Sequence, residues 1–337
     1  GSDPRAADPA RTATRARRRL VVAAIPSLAA VVLGGCVSSP HDDVAAYVDR
    51  AIAEMRDGLH GDTPEFEDAV AAASAELTAR ETIDDTHAGL ADLAVAAGGI
   101  HSFFLTPAEV VAWQSVDQPG ATFPVPSVST FDGISAITLP SFRGQSAEAV
   151  ERYRSAGLSA MRRASEATTC GWIVDLRTNG GGNAWPMLAV AAPLLDDGDA
   201  VGLRSREGET AWARIEDGGV VATPGGPGTE TPGGFTIDAP VALLTSTATA
   251  SAAEIVAIAF AGQADTVRVG APTAGLTTGN EIRELSDGAW LVLTTSYDID
   301  RTGRVYDGPL EPDVVAPPGS VPSDLERTRD ELRARCA

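Results

Sequence analysis

Apolar positions fall into two textures along this chain. From residue 42 to 99 they recur at helical spacing. Val44, Val48, Ile52, Met55 and Leu59 share one face of a helix that Asp42 or Asp43 can cap. Thr63-Pro64 is a cap followed by a first-turn proline, so a second helix is predicted to run to about Arg80. A third starts near Ile83 and stops at Gly98-Gly99. Ile100 to Leu105 reads as extended, and Pro107 opens another short helix.

From Phe123 the pattern changes to short, continuous apolar runs alternating with helical stretches. Gly133–Leu139, Trp172–Val174, Val241–Leu244, Thr266–Val269, Glu281–Leu285 and Trp290–Thr294 read as strands, with further short ones around Val201 and Val220. Helices are expected from Ser146 to about Ala167, after Gly182, and from about Ser251. Pro224–Gly234 is a loop. This alternation predicts an α/β core.

The N-terminus adds a targeting expectation. Gly1-Ser2, without a methionine, reads as a cloning remnant. Arg15 to Arg19 supply a cationic stretch, Leu20 to Leu33 a short apolar one, and Leu33-Gly34-Gly35-Cys36 resembles a bacterial lipobox. That resemblance implies cleavage before Cys36 and lipidation of its thiol. The predicted organisation is a signal peptide over 1–35, a lipidated tether over 36–43, a helical subdomain over 44–122 and an α/β core over 123–337. The protein would then be exported and held by its lipid on the outer face of the bacterial cytoplasmic membrane. Cys170 and Cys336 remain, able to pair or stay free.

Charge narrows the partners. The formal net charge is −20, and six of the 26 basic residues precede Leu20, so the rest is more acidic still. Nucleic acid is therefore excluded, whereas a cationic peptide would be attracted. All the basic residues are arginine: the chain has no lysine, and its four histidines, His41, His60, His87 and His101, lie in the first third. Cysteine and histidine spacing matches no metal site, and neither metal nor cofactor is expected.

Three segments carry candidate chemistry. Asp175-Leu176-Arg177-Thr178-Asn179-Gly180-Gly181-Gly182 follows a buried strand, and its glycines let backbone N–H groups face a ligand. Thr249-Ala250-Ser251-Ala252-Ala253-Glu254 sits at a strand-to-helix turn. A serine there meets the positive end of the helix, although Ser-x-x-Glu is equally a capping box. Ile100-His101-Ser102 places an imidazole in an apolar run, where it can serve as a base or as a satisfied core residue. His87 competes for the same role.

The pieces "GGIHSFF", "ISAITLPSF", "GWIVDLRTNGGG", "VALLTSTATASAAE", "VRVGAPTAG" and "YDGPLEPDV" occur in an order that resembles the C-terminal processing peptidase (tail-specific protease) superfamily, over roughly residues 98–315. The resemblance implies a Clp-protease/crotonase-like core. It makes Ser251 the nucleophile, with an oxyanion hole from the N–H of Ala252 and of Gly181, with Gly182 as the neighbouring choice. Lysine-using members carry their base in a "T-x-G-K" segment; here that segment is Thr273-Ala274-Gly275-Leu276, so that branch is excluded. Histidine-using members take it from a "His-Ser" step such as His101-Ser102. A histidine base predicts a rate that rises through a group titrating near 6–7. Glu254 is the first candidate to orient His101; Asp307, Glu311 and Ser102 are alternatives.

The span from Leu105 to Gly171 leaves no room for a PDZ domain, and the layout is similar to the nisin-resistance members. The implied function is a serine endopeptidase that cuts peptides near their C-terminus, with a cationic, lantibiotic-like peptide as leading substrate. The competing expectations are a general extracytoplasmic processing protease and a peptide-binding lipoprotein without turnover.

Overall fold

Apolar periodicity becomes three helices at the start of the chain. The computed structural model describes residues 40–221, 231, 233–315 and 321–336. The export signal, Cys36 and most of the tether lie outside them, as does most of the Pro/Gly loop. Helix α1 (Pro40–Met55) begins two residues before the expected cap and buries Val44, Val48, Ile52 and Met55. Helix α2 (Pro64–Thr78) opens as predicted: Thr63 Oγ1 accepts the Phe66 N–H at 3.3 Å, and Pro64 needs no acceptor. Helix α3 (His87–Gly98) ends where Gly99 takes φ +83°, a conformation that favours glycine.

The helices cover part of an antiparallel sheet. Strand β1 (Phe103–Leu105) is followed by helix α4 (Pro107–Trp113), whose start is a complete capping box between Thr106 and Glu109. Leu90, Leu93, Ala94 and Ala97 pack with the α1 face against Leu291 and Leu293 of a distant strand. Residues 38–337 form one compact unit.

The rest of the chain completes this sheet and builds a second one. Strands β2 (Ser127–Phe131) and β3 (Ile134–Thr138), helix α5 (Ala147–Ser165), strand β4 (Gly171–Asp175) and helix α6 (Ala184–Ala191) come first. Strands β5 (Gly198–Ser205), β6 (Thr210–Glu216) and β7 (Gly219–Val221) then form antiparallel pairs. Strand β8 (Val241–Thr245), helix α7 (Ala252–Ala259) and strand β9 (Thr266–Gly270) return to the parallel pattern. Strands β10 (Thr278–Glu284) and β11 (Trp290–Asp300), the two-residue strand β12 (Val314–Val315) and helix α8 (Val321–Arg335) close the chain.

The second sheet has the order β12-β9-β8-β4-β3-β2, parallel throughout except for the edge strand β2. Its central strands are apolar on both faces because both faces are covered. One face meets α5, α6 and α7 in the largest core cluster; the other meets Leu332 of α8. The first sheet has the order β1-β11-β5-β6-β7, with β10 also on β11. Its long strand β11 was legible only over Trp290–Thr294; its polar end pairs β5, and sequence alternation there is masked by burial on both sides. Strand β6 and helix α8 were not foreseen. Cys170 and Cys336 form a disulfide that fastens the end of α8 to the start of β4.

One buried group has consequences for stability. Asp298 on β11 is fully buried, and neither of its carboxylate oxygens has a hydrogen-bond partner among the described residues. Burial, with the neighbouring Glu254 charge, pushes its carboxyl well above the usual carboxylate range. The folded chain therefore holds this proton when the unfolded chain has lost it. Its contribution is complete below the unfolded value and disappears as pH rises through the folded one. Asp298→Asn keeps the shape without the titration. The expected result is a gain in Tm at neutral and alkaline pH that shrinks towards acid pH. A gain independent of pH would show that Asp298 titrates normally.

Candidate active site

Strand β8 delivers the serine. Its buried run ends at Thr245, and the chain turns sharply so that Ser251 precedes the first turn of α7 with φ +55° and ψ −117°. A non-glycine residue in such a conformation costs about 1–3 kcal/mol and needs support from its surroundings. The support is Glu254, which is fully buried. Its Oε2 accepts the N–H of Ser251 at 2.7 Å and of Leu276 at 2.9 Å. Its Oε1 accepts the Thr273 hydroxyl at 2.5 Å and the Gly275 N–H at 2.8 Å. Burial pushes this carboxyl up, and the four donors oppose the rise.

The glutamate half of the capping box is thus made, while the serine hydroxyl turns elsewhere. Ser251 Oγ lies 3.0 Å from His101 Nε2, across 150 residues of sequence. His101 Nδ1 lies 2.8 Å from Thr278 Oγ1. In the tautomer that lets Ser251 donate to Nε2, Nδ1–H donates to Thr278. Asn280, next on the same face of β10, donates its side-chain amide to the His101 carbonyl at 2.9 Å.

Thr278, and not Glu254, is therefore the residue bonded to the imidazole at Nδ1. Glu254 instead ties the serine backbone to the 273–276 loop. Asp307 is exposed in the loop beyond β11 and does not bond His101, nor does Glu311. Ser102 donates to Thr294 Oγ1 at 3.0 Å and accepts the Thr294 N–H at 2.9 Å. It holds β1 to β11 and leaves the imidazole alone. The competitor His87 bonds Asp287 Oδ2 at 2.9 Å. With Asp84 these are the one group among the described residues whose ligand atoms all lie within 4.8 Å, as a metal site would need. Tyr47 also donates to Asp287, at 3.1 Å, so the cluster already pins α1 and α3 to the β10–β11 turn.

The glycine-rich turn reaches the serine from the other side. A Cβ at Gly181 would meet Ser251 Cβ at 2.9 Å, and its φ of +102° also favours glycine. The Gly181 N–H is already donated to Asn179 Oδ1 at 2.9 Å. Gly182 is exposed and faces the cleft. Its N–H and that of Ala252 have no acceptor among the described residues. For Ala252 this follows from its place in the first helical turn.

His101, Ser251, Ala252 and Gly182 line one cleft of ≈ 1050 Å³, whose walls include Phe103, Trp113, Trp185 and Trp290. Leu276, the last residue of the Thr273-Ala274-Gly275-Leu276 segment, also faces it. Burial pushes the His101 imidazole down to about 4, against a smaller opposing effect of its hydrogen bond to Thr278. An ordinary histidine would place the rise near 6–7, and burial moves it lower. kcat/KM should be flat through neutral pH and fall only as the pH approaches 4, because the neutral imidazole is the form that accepts a proton. A titration centred near 6–7 in the free enzyme would show that burial does not shift His101 downward.

A serine hydroxyl at a helix N-terminus, bonded to a buried neutral imidazole, is the arrangement serine peptidases use for acyl transfer. Comparison with known proteins agrees with that class. The chain belongs to peptidase family S41, a family of serine proteases, whose model matches residues 133–316. It is 28% identical over 272 residues to the nisin-resistance protein of Lactococcus lactis subsp. lactis, covering 80% of this chain and 82% of that one. It is 30% identical over 179 residues to the chloroplastic carboxyl-terminal-processing peptidase 2 of Arabidopsis thaliana, covering 50% of this chain and 31% of the relative. A lipoprotein from Streptococcus agalactiae shares the fold, with a TM-score of 0.72 at 24% identity, over 87% of this chain and 96% of that one.

Thr278 escaped the sequence reading, yet a signal existed. Leu276 faces the cleft just before β10, and residues at alternate spacing along an extended segment face the same way. Thr278 and Asn280 follow it at that spacing.

Proposed function

We propose that this chain is an exported, lipid-anchored serine endopeptidase that cleaves peptides near their C-terminus with Ser251 as nucleophile and His101 as base. The 3.0 Å contact between Ser251 Oγ and His101 Nε2 carries the reading. Oγ attacks the peptide carbonyl carbon as its proton passes to Nε2. The oxyanion is held by the N–H groups of Ala252 and Gly182; Gly181, whose N–H is engaged, shapes the turn. Collapse expels the amine, which takes the proton from Nε2. Water then attacks the acyl-enzyme, gives a proton to Nε2, and Ser251 leaves with it.

The C-terminal preference follows the name of the Arabidopsis relative, and a cationic, lantibiotic-like substrate follows the name of the Lactococcus one. The net charge of −20 supports attraction of a cationic peptide. The lipobox ending at Cys36 supports anchoring. The Cys170–Cys336 disulfide supports an oxidising compartment. No helix among the described residues is long and apolar enough to cross a membrane.

Labelling by a fluorophosphonate tests the reading. Modification should map to Ser251 and vanish in His101→Ala. An unlabelled Ser251 in the folded protein would favour a binding lipoprotein on the same fold.

A further inference from the structure

The cleft is poor in charge. Among the described residues that line it, Arg154 is the single cationic side chain and Glu151 the single carboxylate, with His101 held neutral by burial. Both stand on α5, one turn apart, so they meet on one face of the helix. The Arg154 side chain is 19% exposed and Glu151 57%. Arg154 Nη2 and Nε both donate to one oxygen, Glu151 Oε2, at 2.5 and 2.9 Å. The guanidinium is thereby held in place while Nη1 has no acceptor among the described residues. An exposed pair of this kind is weak, about 0–1 kcal/mol, so Glu151 gives way easily to a better acceptor.

The geometry points to Arg154 as the anchor for the free C-terminal carboxylate of a bound peptide. This rests on the C-terminal preference proposed above and names the group that would read it. A guanidinium offers a planar fork of donors that matches a carboxylate and cannot lose its charge. No other described side chain in the cleft offers a positive charge to the carboxylate.

Binding separates this inference from the peptidase reading. In the Ser251→Ala chain, which needs no turnover, the probes are an apolar peptide ending in a free carboxylate and the same peptide amidated. The free acid should bind roughly tenfold or more tighter than the amide, the range expected for a charge-assisted contact. Adding Arg154→Gln should bring the ratio close to one. Arg154→Lys should keep part of it, since the charge remains but the fork is lost. Arg152→Gln is the control: it removes the same charge from the same helix, but Arg152 stacks on Phe123 outside the cleft, and the ratio should persist.

Equal binding of acid and amide would overturn the inference, and so would a ratio that survives Arg154→Gln. Loss of the ratio in Arg152→Gln as well would overturn it too, in favour of a general charge effect. Unchanged Tm in Arg154→Gln would confirm that the fold is kept; should it fall, the acid-to-amide ratio in Arg154→Lys decides. Failure of the peptidase reading would show instead as an unlabelled Ser251 in the otherwise native chain, whatever the two peptides do.

Discussion

Ser251→Ala and His101→Ala should each lower kcat on the order of 10⁴-fold or more, and the double variant should be little worse than either. The two side chains act as one unit through the 3.0 Å contact, so removing the second member of a broken pair takes away nothing further. His87→Ala should leave the rate nearly intact, because His87 is committed to Asp287 and does not line the cleft. Thr278→Val should fall between these limits: the imidazole stays, but its Nδ1 loses the acceptor that fixes ring and tautomer. Steady-state kinetics on one peptide, with folding checked by circular dichroism, decides the matter. Substantial activity in His101→Ala would end the dyad assignment.

Glu254→Ala should damage both stability and activity. Its carboxylate collects four donors from three places: the Ser251 backbone, the Thr273 hydroxyl, and the backbone of Gly275 and Leu276. Truncation leaves these donors without an acceptor in a buried setting, at about 1–3 kcal/mol for each that water cannot reach. A total near 3–5 kcal/mol is expected. Ser251 would also lose the support for its positive φ, and the loop leading to Thr278 would loosen. A displacement of about 1 Å in a catalytic group costs about 10²-fold in rate. Glu254→Gln keeps the volume, but its amide places an N–H₂ against N–H donors, so an intermediate effect follows. Urea midpoints together with kcat/KM measure the two losses. A midpoint equal to wild type would mean that the clamp contributes nothing.

Local chemistry accounts for what could be read in advance. Helical spacing of Val44, Val48, Ile52 and Met55 needs only neighbours a few residues away, and so does the Thr63-Pro64 start of α2. The buried strands β4 and β8 announced themselves because strands covered on both faces are continuously apolar. The absence of lysine removes one candidate base, and the Gly-rich and Ser-x-x-Glu segments mark the candidate nucleophile half. Strand β11 was only half visible, since residues such as Ser296, Asp298 and Asp300 are polar yet buried in the sheet.

The partners were decided by tertiary structure. Which of His87 and His101 meets Ser251 depends on β1 pairing with β11 in a register that no local pattern encodes. Glu254 is the first candidate to orient the base by sequence, with Asp307 an alternative, but the residue bonded to Nδ1 is a threonine that β10 carries there. Desolvation likewise depends on everything that surrounds a group, so the low pKa of His101 and the high one of Asp298 emerge only when distant strands close over them. Sequence alone determined most of the elements and the residue types of the candidate site, because those follow from neighbours along the chain. The fold decided their pairing, tautomer and proton affinity, because those follow from neighbours in space.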